Sequence, residues 1–353
     1  MALHRSFAYP ASDRCGREGR FLPIIARGRC DAPDAQRNRT RKEIRRLWKL
    51  LPVYSRRAAR IVRPTPGAVG VADKEGAAGR IPFSAEMFPP KGQLTLDAAR
   101  KVVEGLRAAS PDFISVTCSA GGSGGQTAAI AELVQKEAAI PAVAHFTCVS
   151  ATRASVDDAV EALRAAGVKT VLALRGDLVD GQQPADFRYA CELIPRLKEV
   201  GLCVGAAAYP EGHIDCLDPR ENIRHLRAKQ DAGADFFITQ LFFNNDDFYR
   251  FREAAESAGV TAPISCGIMP FLGKSQIQRM VFLCGSSLPA PIIKLLAKYE
   301  DDPASLRQAG IEYACNQLVD LGRHGVDGLH VYAMNQPDIA CAAAEAVAAA
   351  GLR

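Results

Sequence analysis

From residue 81 onward the chain alternates short apolar or β-branched runs with stretches of helical periodicity, and this constrains its fold more than any other feature. The runs are IPFSAEM (81–87), DFISVTC (112–118), PAVAHFT (141–147) and TVLALR (170–175), then CVGAAAY (203–209), DFFITQLFF (235–243), PISCGIM (263–269) and GLHVYAM (328–334). Between them lie segments such as LDAARKVVEGLRAA, SVDDAVEALRAAG, ENIRHLRAKQDAG and SQIQRMVFLCG. Several end in glycine, the preferred stop of a helix. Eight strand–helix units within 278 residues (76–353) predict an α/β protein built as a (β/α)8 TIM barrel, whose typical size is about 250 residues. A doubly wound open sheet shares the alternation. It usually carries a glycine-rich phosphate fingerprint after its first strand, and FSAEMFPPKG is not one.

In such a barrel the functional side chains sit at the C-terminal ends of the strands. Taken strand by strand, those ends carry Glu86, Thr117, His145 with Thr147, Arg175 with Asp177, Tyr209 with Glu211, Gln240, and Tyr332 with Asn335. So many hydrogen-bonding groups around one mouth suit a large polar ligand. Glu86 stands out because its sequence neighbours are apolar. A carboxyl in an apolar wall is a usable general acid near neutral pH, whereas a structural glutamate would pair with a buried arginine or cap backbone amides. Asp177, in LALRGDLVDG, reads either as a site residue or as a turn aspartate.

Two other motifs are weaker. SAGGSGGQT (119–127) fits neither GxxxxGK[ST] nor GxGxxG, and reads better as a lid or tight loop over the mouth. HFTC (145–148) and HIDC (213–216) resemble metal half-sites, but residues three apart on a strand point to opposite faces, so His145 and Cys148 should diverge. No metal site is expected.

Residues 1–75 differ from the rest in being rich in Arg, Pro and Gly, and read as a basic extension of low order in front of a barrel domain at 76–353. Residues 1–70 hold 17 of the 44 Lys and Arg and 5 of the 39 Asp and Glu, a net of +12, which leaves the remainder at −7. The domain itself therefore gives no sign of binding nucleic acid, and only the extension could attract an anionic partner. An organellar transit peptide and a nucleic-acid tail are alternative readings of that extension. No apolar stretch approaches the roughly 18 residues of a membrane span. The eleven cysteines are scattered without a CxxC, which suggests reduced thiols in a cytoplasm-like compartment.

FSAEMFPP, AHFTC, LALRGD, AAYPEGH, DAGADFFITQLFF and GIMP, in that order, resemble the methylenetetrahydrofolate reductase family in its bacterial, single-domain form. The resemblance runs from about residue 81 to 350 and implies a barrel that holds FAD. NADH or NADPH would reduce the flavin, which would then reduce 5,10-methylenetetrahydrofolate to 5-methyltetrahydrofolate. It places the family's acid on Glu86, the aspartate near flavin and pterin on Asp177, and the glutamine that bonds pterin and nicotinamide on Gln240. It places FAD contacts on Thr117, His145, Leu174, Arg175, Gly176, Asp177, Tyr189, Ala208, Tyr209, His213 and Lys229. It also implies a homo-oligomer, and with the charge, hydropathy and cysteine readings above the expectation is a cytoplasmic protein with no nucleic-acid or membrane partner.

The chain departs from the enteric bacterial pattern at Cys118, Asn222 and Ala228, and at Met280, which stands where a phenylalanine packs on the nicotinamide. Two other functions share much of this pattern: a different barrel flavoprotein, such as a proline-dehydrogenase-like oxidase, and a folate- or flavin-binding protein without turnover.

Overall fold

The computed structural model describes residues 80–89, 96–118, 125–148, 150–177, 184–216 and 218–353. The expectation for residues 1–75 lies outside these, as does most of the expected lid, of which only Gly125–Thr127 are described, at the start of a helix.

Eight parallel strands form a closed barrel: β1 (Phe83–Met87), β2 (Phe113–Val116), β3 (Ala142–Thr147), β4 (Thr170–Leu174), β5 (Cys203–Ala208), β6 (Phe236–Thr239), β7 (Ile264–Ile268) and β8 (Gly328–Val331). The helices are α1 (Leu96–Ala108), α2 (Gly125–Lys136), α3 (Arg153–Ala165), α4 (Ala190–Glu199), α5 (Pro219–Asp231), α6 (Asn245–Ser257), α7 (Lys274–Cys284), α8 (Ala290–Lys298), α9 (Pro303–Arg323) and α10 (Pro337–Ala349). The barrel closes where β1 pairs with β8, in the register Phe83↔Leu329, Ser84↔His330 and Ala85↔Val331. All eight expected strands are present. The sixth and eighth are shorter than their apolar runs, because Leu241–Phe243 leave the sheet to pack in hydrophobic clusters and the chain turns after Val331.

Strand alternation sorts side chains into two layers. Phe83, Ala85 and Met87 of β1, Ile114 and Val116 of β2, Ala144 and Phe146 of β3, and Leu329 and Val331 of β8 belong to the large outer core beneath the helices. Opposite parity fills the barrel itself. Phe113, Val143, Leu172, Phe236 and Ile238 make its apolar part. Ser84, Ser115, His145, Ser265 and His330 are buried polar residues of the same parity. Gly205 is required here, since a Cβ on it would lie 2.4 Å from the ring of Phe236.

Local chemistry fixes the element ends. Thr152 and Ser155 form a capping box at α3, with the Ser155 amide donating to Thr152 Oγ1 at 3.1 Å and the Thr152 amide to Ser155 Oγ at 2.9 Å. Val156, Val160 and Leu163 then present one apolar stripe to the sheet. At the base of the barrel, the aspartate before a strand receives an amide from the first two residues of the preceding strand. The Phe83 amide donates to Asp112 (2.8 Å), that of Val204 to Asp235 (2.8 Å) and that of Ile264 to Asp327 (3.0 Å). Each bond satisfies a donor that the ladder leaves over.

Candidate active site

Glu86 points into the barrel from β1, as its parity requires, with its side chain 18% exposed. Its apolar neighbours Ala85 and Met87 face the helices instead, so the carboxylate does not stand in the apolar wall that its sequence context suggests. Polar groups surround it. His145 Nε2 on β3 lies 3.5 Å from Glu86 Oε2, and His330 Nε2 on β8 lies 4.0 Å from the same oxygen. No arginine or lysine pairs with Glu86 among the described ion pairs. His145 Nε2 is buried without a hydrogen-bond partner. Burial holds the His145 imidazole below its usual pKa of 6.5, a shift that Glu86 opposes and His330 reinforces. His330 is wholly buried, with Nδ1 2.7 Å from Ser84 Oγ and Nε2 3.5 Å from Ser115 Oγ. Tyr332 completes the floor, its hydroxyl donating to the Thr239 carbonyl at 2.5 Å.

A cavity of about 220 Å³ opens at the ends of β4 and β5 and reaches α4 and α5. It brings together seven of the expected cofactor residues: Leu174, Arg175, Tyr189, Ala208, Tyr209, His213 and Lys229. Lys229, at the end of α5, donates to the Ala207 carbonyl at 2.9 Å and lies 5.1 Å from the centre of the Tyr209 ring. Burial lowers its pKa from 10.5 to about 8, with Arg175 adding to the fall and Cys191 opposing it. Arg175 pairs with Asp215 at 3.0 Å and donates through Nε to the Gly176 carbonyl at 3.2 Å. Gly176 has φ +83°, the left-handed conformation that favours glycine. Burial raises the Tyr209 hydroxyl to about 12, and it lowers His213, where Arg175 acts in the same sense. The Asp215 amide donates to His213 Nδ1 at 3.1 Å, so a neutral His213 carries its proton on Nε2.

The remaining expected residues fall elsewhere on the rim. Thr117 lies at the end of β2, its amide donating to the Met87 carbonyl at 3.0 Å. Asp177 is exposed, close enough to Tyr209 and His213 for its charge to act on both. The Gln240 side-chain Oε1 accepts from the Leu241 backbone amide at 2.9 Å, and the Gln240 backbone amide donates to the Ala208 carbonyl at 2.7 Å. Met280 packs, half-buried, against the cluster of Leu241, Phe243 and Met269. Burial raises the Tyr332 hydroxyl far above its usual pKa, and the charge of Glu86 adds to the rise.

Two mouth residues bind backbone from other segments. Glu211 accepts from the Ser287 amide at 2.8 Å, which ties the β5 loop to the α7–α8 connection. Asn335 binds the backbone of Phe88. His145 and Cys148 diverge as alternation requires, with Cys148 in the outer core, and the described residues hold no group of three metal-ligating side chains.

Sequence reasoning missed His330, Ser84, Ser115 and Asp215. For His330 a signal existed, because it interrupts GLHVYAM as Glu86 interrupts FSAEMF. Asn222, which had read only as a departure from the family pattern, is buried and donates to the Tyr209 carbonyl at 2.8 Å, fixing a wall of the cavity.

The sequence profile of the family described as methylenetetrahydrofolate reductase matches residues 72–347. Methylenetetrahydrofolate reductase 1 of Schizosaccharomyces pombe is 31% identical over 265 residues, 72% of this chain and 44% of its own. The 5,10-methylenetetrahydrofolate reductases of Pectobacterium carotovorum and Escherichia coli are each 30% identical over 266 residues, covering 75% of this chain and 89% and 90% of theirs. The chain thus spans about half the length of the yeast and plant relatives it matches and most of the bacterial ones. An uncharacterized Clostridium thermocellum protein that binds two copies of 5-methyl-5,6,7,8-tetrahydrofolic acid superposes with a TM-score of 0.56 over 76% of this chain and 96% of its own. At 14% identity that likeness establishes a shared fold. The match over residues 72–347, with bacterial relatives 30% identical and covered over about nine-tenths of their length, makes this barrel chain a member of the methylenetetrahydrofolate reductase family.

Proposed function

We propose that the chain reduces 5,10-methylenetetrahydrofolate to 5-methyltetrahydrofolate through a bound FAD that NADH or NADPH reduces. The observation that carries this reading is one barrel mouth holding both a carboxylate between two imidazoles and a cavity lined by two cations.

The residues present fit FAD. Arg175 and Lys229 would neutralise its pyrophosphate, and the turn at Gly176 lets backbone approach the ring. The unpartnered His145 Nε2 supplies a polar atom awaiting a partner. Leu174, Tyr189, Ala208, Tyr209 and His213 would line its path, with Thr117 and Asp177 on the rim. When bound, the flavin supplies hydride to the substrate carbon.

The chain's own part is positioning and proton transfer. Gln240 and Asp177 would hold the pterin, with Met280 against whichever ring lies over the flavin. Glu86 in its protonated form would give its proton to the folate nitrogen. The imidazolidine ring then opens to an iminium, and the Glu86 carboxylate remains between His145 and His330. Proton transfer from a placed side chain is worth about 10²–10⁴ in rate. Nothing in this scheme needs the membrane or nucleic acid, and we place the protein in the cytoplasm as a homo-oligomer.

The test is colour. Purified protein should be yellow, bleach anaerobically with NADH or NADPH, and regain its colour on addition of 5,10-methylenetetrahydrofolate. Bleaching without folate-driven recovery would point to another barrel flavoprotein chemistry. A protein that binds flavin but never bleaches would lack the proposed turnover.

A further inference from the structure

The β1–β8 seam, where the barrel closes, stops short of the residue proposed as the acid. β1 pairs with β8 only as far as Ala85↔Val331, whereas on its other side it pairs with β2 through Met87↔Val116. Beyond the Ala85↔Val331 pair, from Met87 onward, the segment has no further β1–β8 pairing on its seam side. The gap is bridged by one side chain. Asn335 Nδ2 donates to the Phe88 carbonyl at 2.7 Å, and the Phe88 amide donates to Asn335 Oδ1 at 3.0 Å. A primary amide that exchanges both bonds with one residue stands in for the strand peptide that β8 no longer provides.

The turn that carries Asn335 is itself strained. Met334 and Asn335 are consecutive non-glycine residues in the left-handed region, at φ +52° and +56°. Asparagine tolerates that conformation and methionine does not favour it, so the surrounding contacts must hold the turn. Those contacts reach another strand exit: Gln276 Nε2 lies 3.1 Å from Met334 Sδ and donates to the Pro270 carbonyl at 3.3 Å, beyond β7.

We propose that Asn335 is a positioning residue for Glu86. With the β8 ladder below Glu86 and the Asn335 amide above it, the backbone is fixed on both sides of the acid, and its carboxyl is held at one height over the floor. This rests on the function proposed above. Its geometric half can be measured without turnover.

The experiment uses the full chain with Asn335→Gly, which permits the left-handed backbone but loses both bonds, and Asn335→Asp, which keeps an acceptor for the Phe88 amide. Hydrogen exchange at the Phe88 amide should accelerate at least tenfold in the glycine variant and stay slow in the aspartate one. Unchanged exchange in Asn335→Gly would overturn the clamp. In flavin-loaded protein, bleaching by the nicotinamide should stay within about twofold of the unaltered chain, while folate-driven recovery should slow by roughly 10-fold or more with little change in KM. On a Glu86→Gln background, Asn335→Gly should cause no further loss. Equal slowing of both half-reactions, or full additivity with Glu86→Gln, would make Asn335 merely structural and overturn the proposal. If the unaltered chain gives no folate-driven recovery, the proposed function falls and takes the catalytic half with it, and Phe88 exchange then decides the clamp alone.

Discussion

Replacing Lys229 by methionine should strengthen the cofactor-free protein and weaken its hold on flavin, two effects of opposite sign from one charge. Burial brings Lys229 from 10.5 down to about 8, so the folded protein holds an ammonium it would rather release. At about 1.36 kcal/mol per pH unit, that fall corresponds to ~3 kcal/mol at full strength. The side chain keeps some solvent contact, and screening reduces the figure to roughly 1–2 kcal/mol. Because the folded-state value is depressed, the unfolded chain binds the extra proton between pH 8 and 10.5. Stability therefore rises with pH through that window, and the penalty is fully present below pH 8. Methionine removes it. The apo-protein at pH 7 should melt a few degrees higher in Lys229→Met, at roughly 2–4 °C per kcal/mol for a domain of this size. The difference should fade as pH approaches 10.5. The lost charge-assisted bond should weaken FAD binding by about 10–100-fold, measured by flavin fluorescence. A melting temperature that is lower or unchanged in Lys229→Met at pH 7, or an undiminished FAD affinity, would refute the reasoning.

Further expectations concern the scaffold. Gly205→Ala should destabilise the barrel by about 1–3 kcal/mol, read by denaturant melting, because the new methyl meets the Phe236 ring at 2.4 Å inside a filled core. Asp235→Ala leaves the Val204 amide of β5 without its acceptor and frees Lys198, which bonds both carboxylate oxygens (2.6 and 2.9 Å); a loss of about 1–3 kcal/mol should appear in the same assay.

How far the sequence discloses this molecule depends on the range of the interaction concerned. Period-two alternation and glycine-stopped helices are local, and they placed all eight strands and the residues at their ends. Overruns occurred where apolar residues continue past the sheet, as Leu241–Phe243 do to pack in side clusters. Partners across the barrel were not legible. Glu86 looked embedded in apolar residues because Ala85 and Met87 adjoin it in the chain, yet those face outward and His145 and His330 are its true neighbours. Asn335 counted as a mouth residue, since nothing local reveals that its amide serves a backbone 247 positions away. The aspartates that clamp β1, β5 and β7 look like turn residues until the neighbouring strand is in place. The cavity fared better in part, because Arg175 and Tyr209 lie at the ends of adjacent strands, where position alone suffices, whereas Lys229 on α5 was indicated only by the family resemblance.

The central claim is that Glu86 is the proton donor of the folate half-reaction and of that half alone. Anaerobic stopped-flow of flavin-loaded Glu86→Gln, compared with the unaltered chain, tests it most directly. The account expects normal bleaching by NADH or NADPH and a loss of about 10²–10⁴ in the rate at which 5,10-methylenetetrahydrofolate restores the flavin colour. Restoration at the unaltered rate would contradict it.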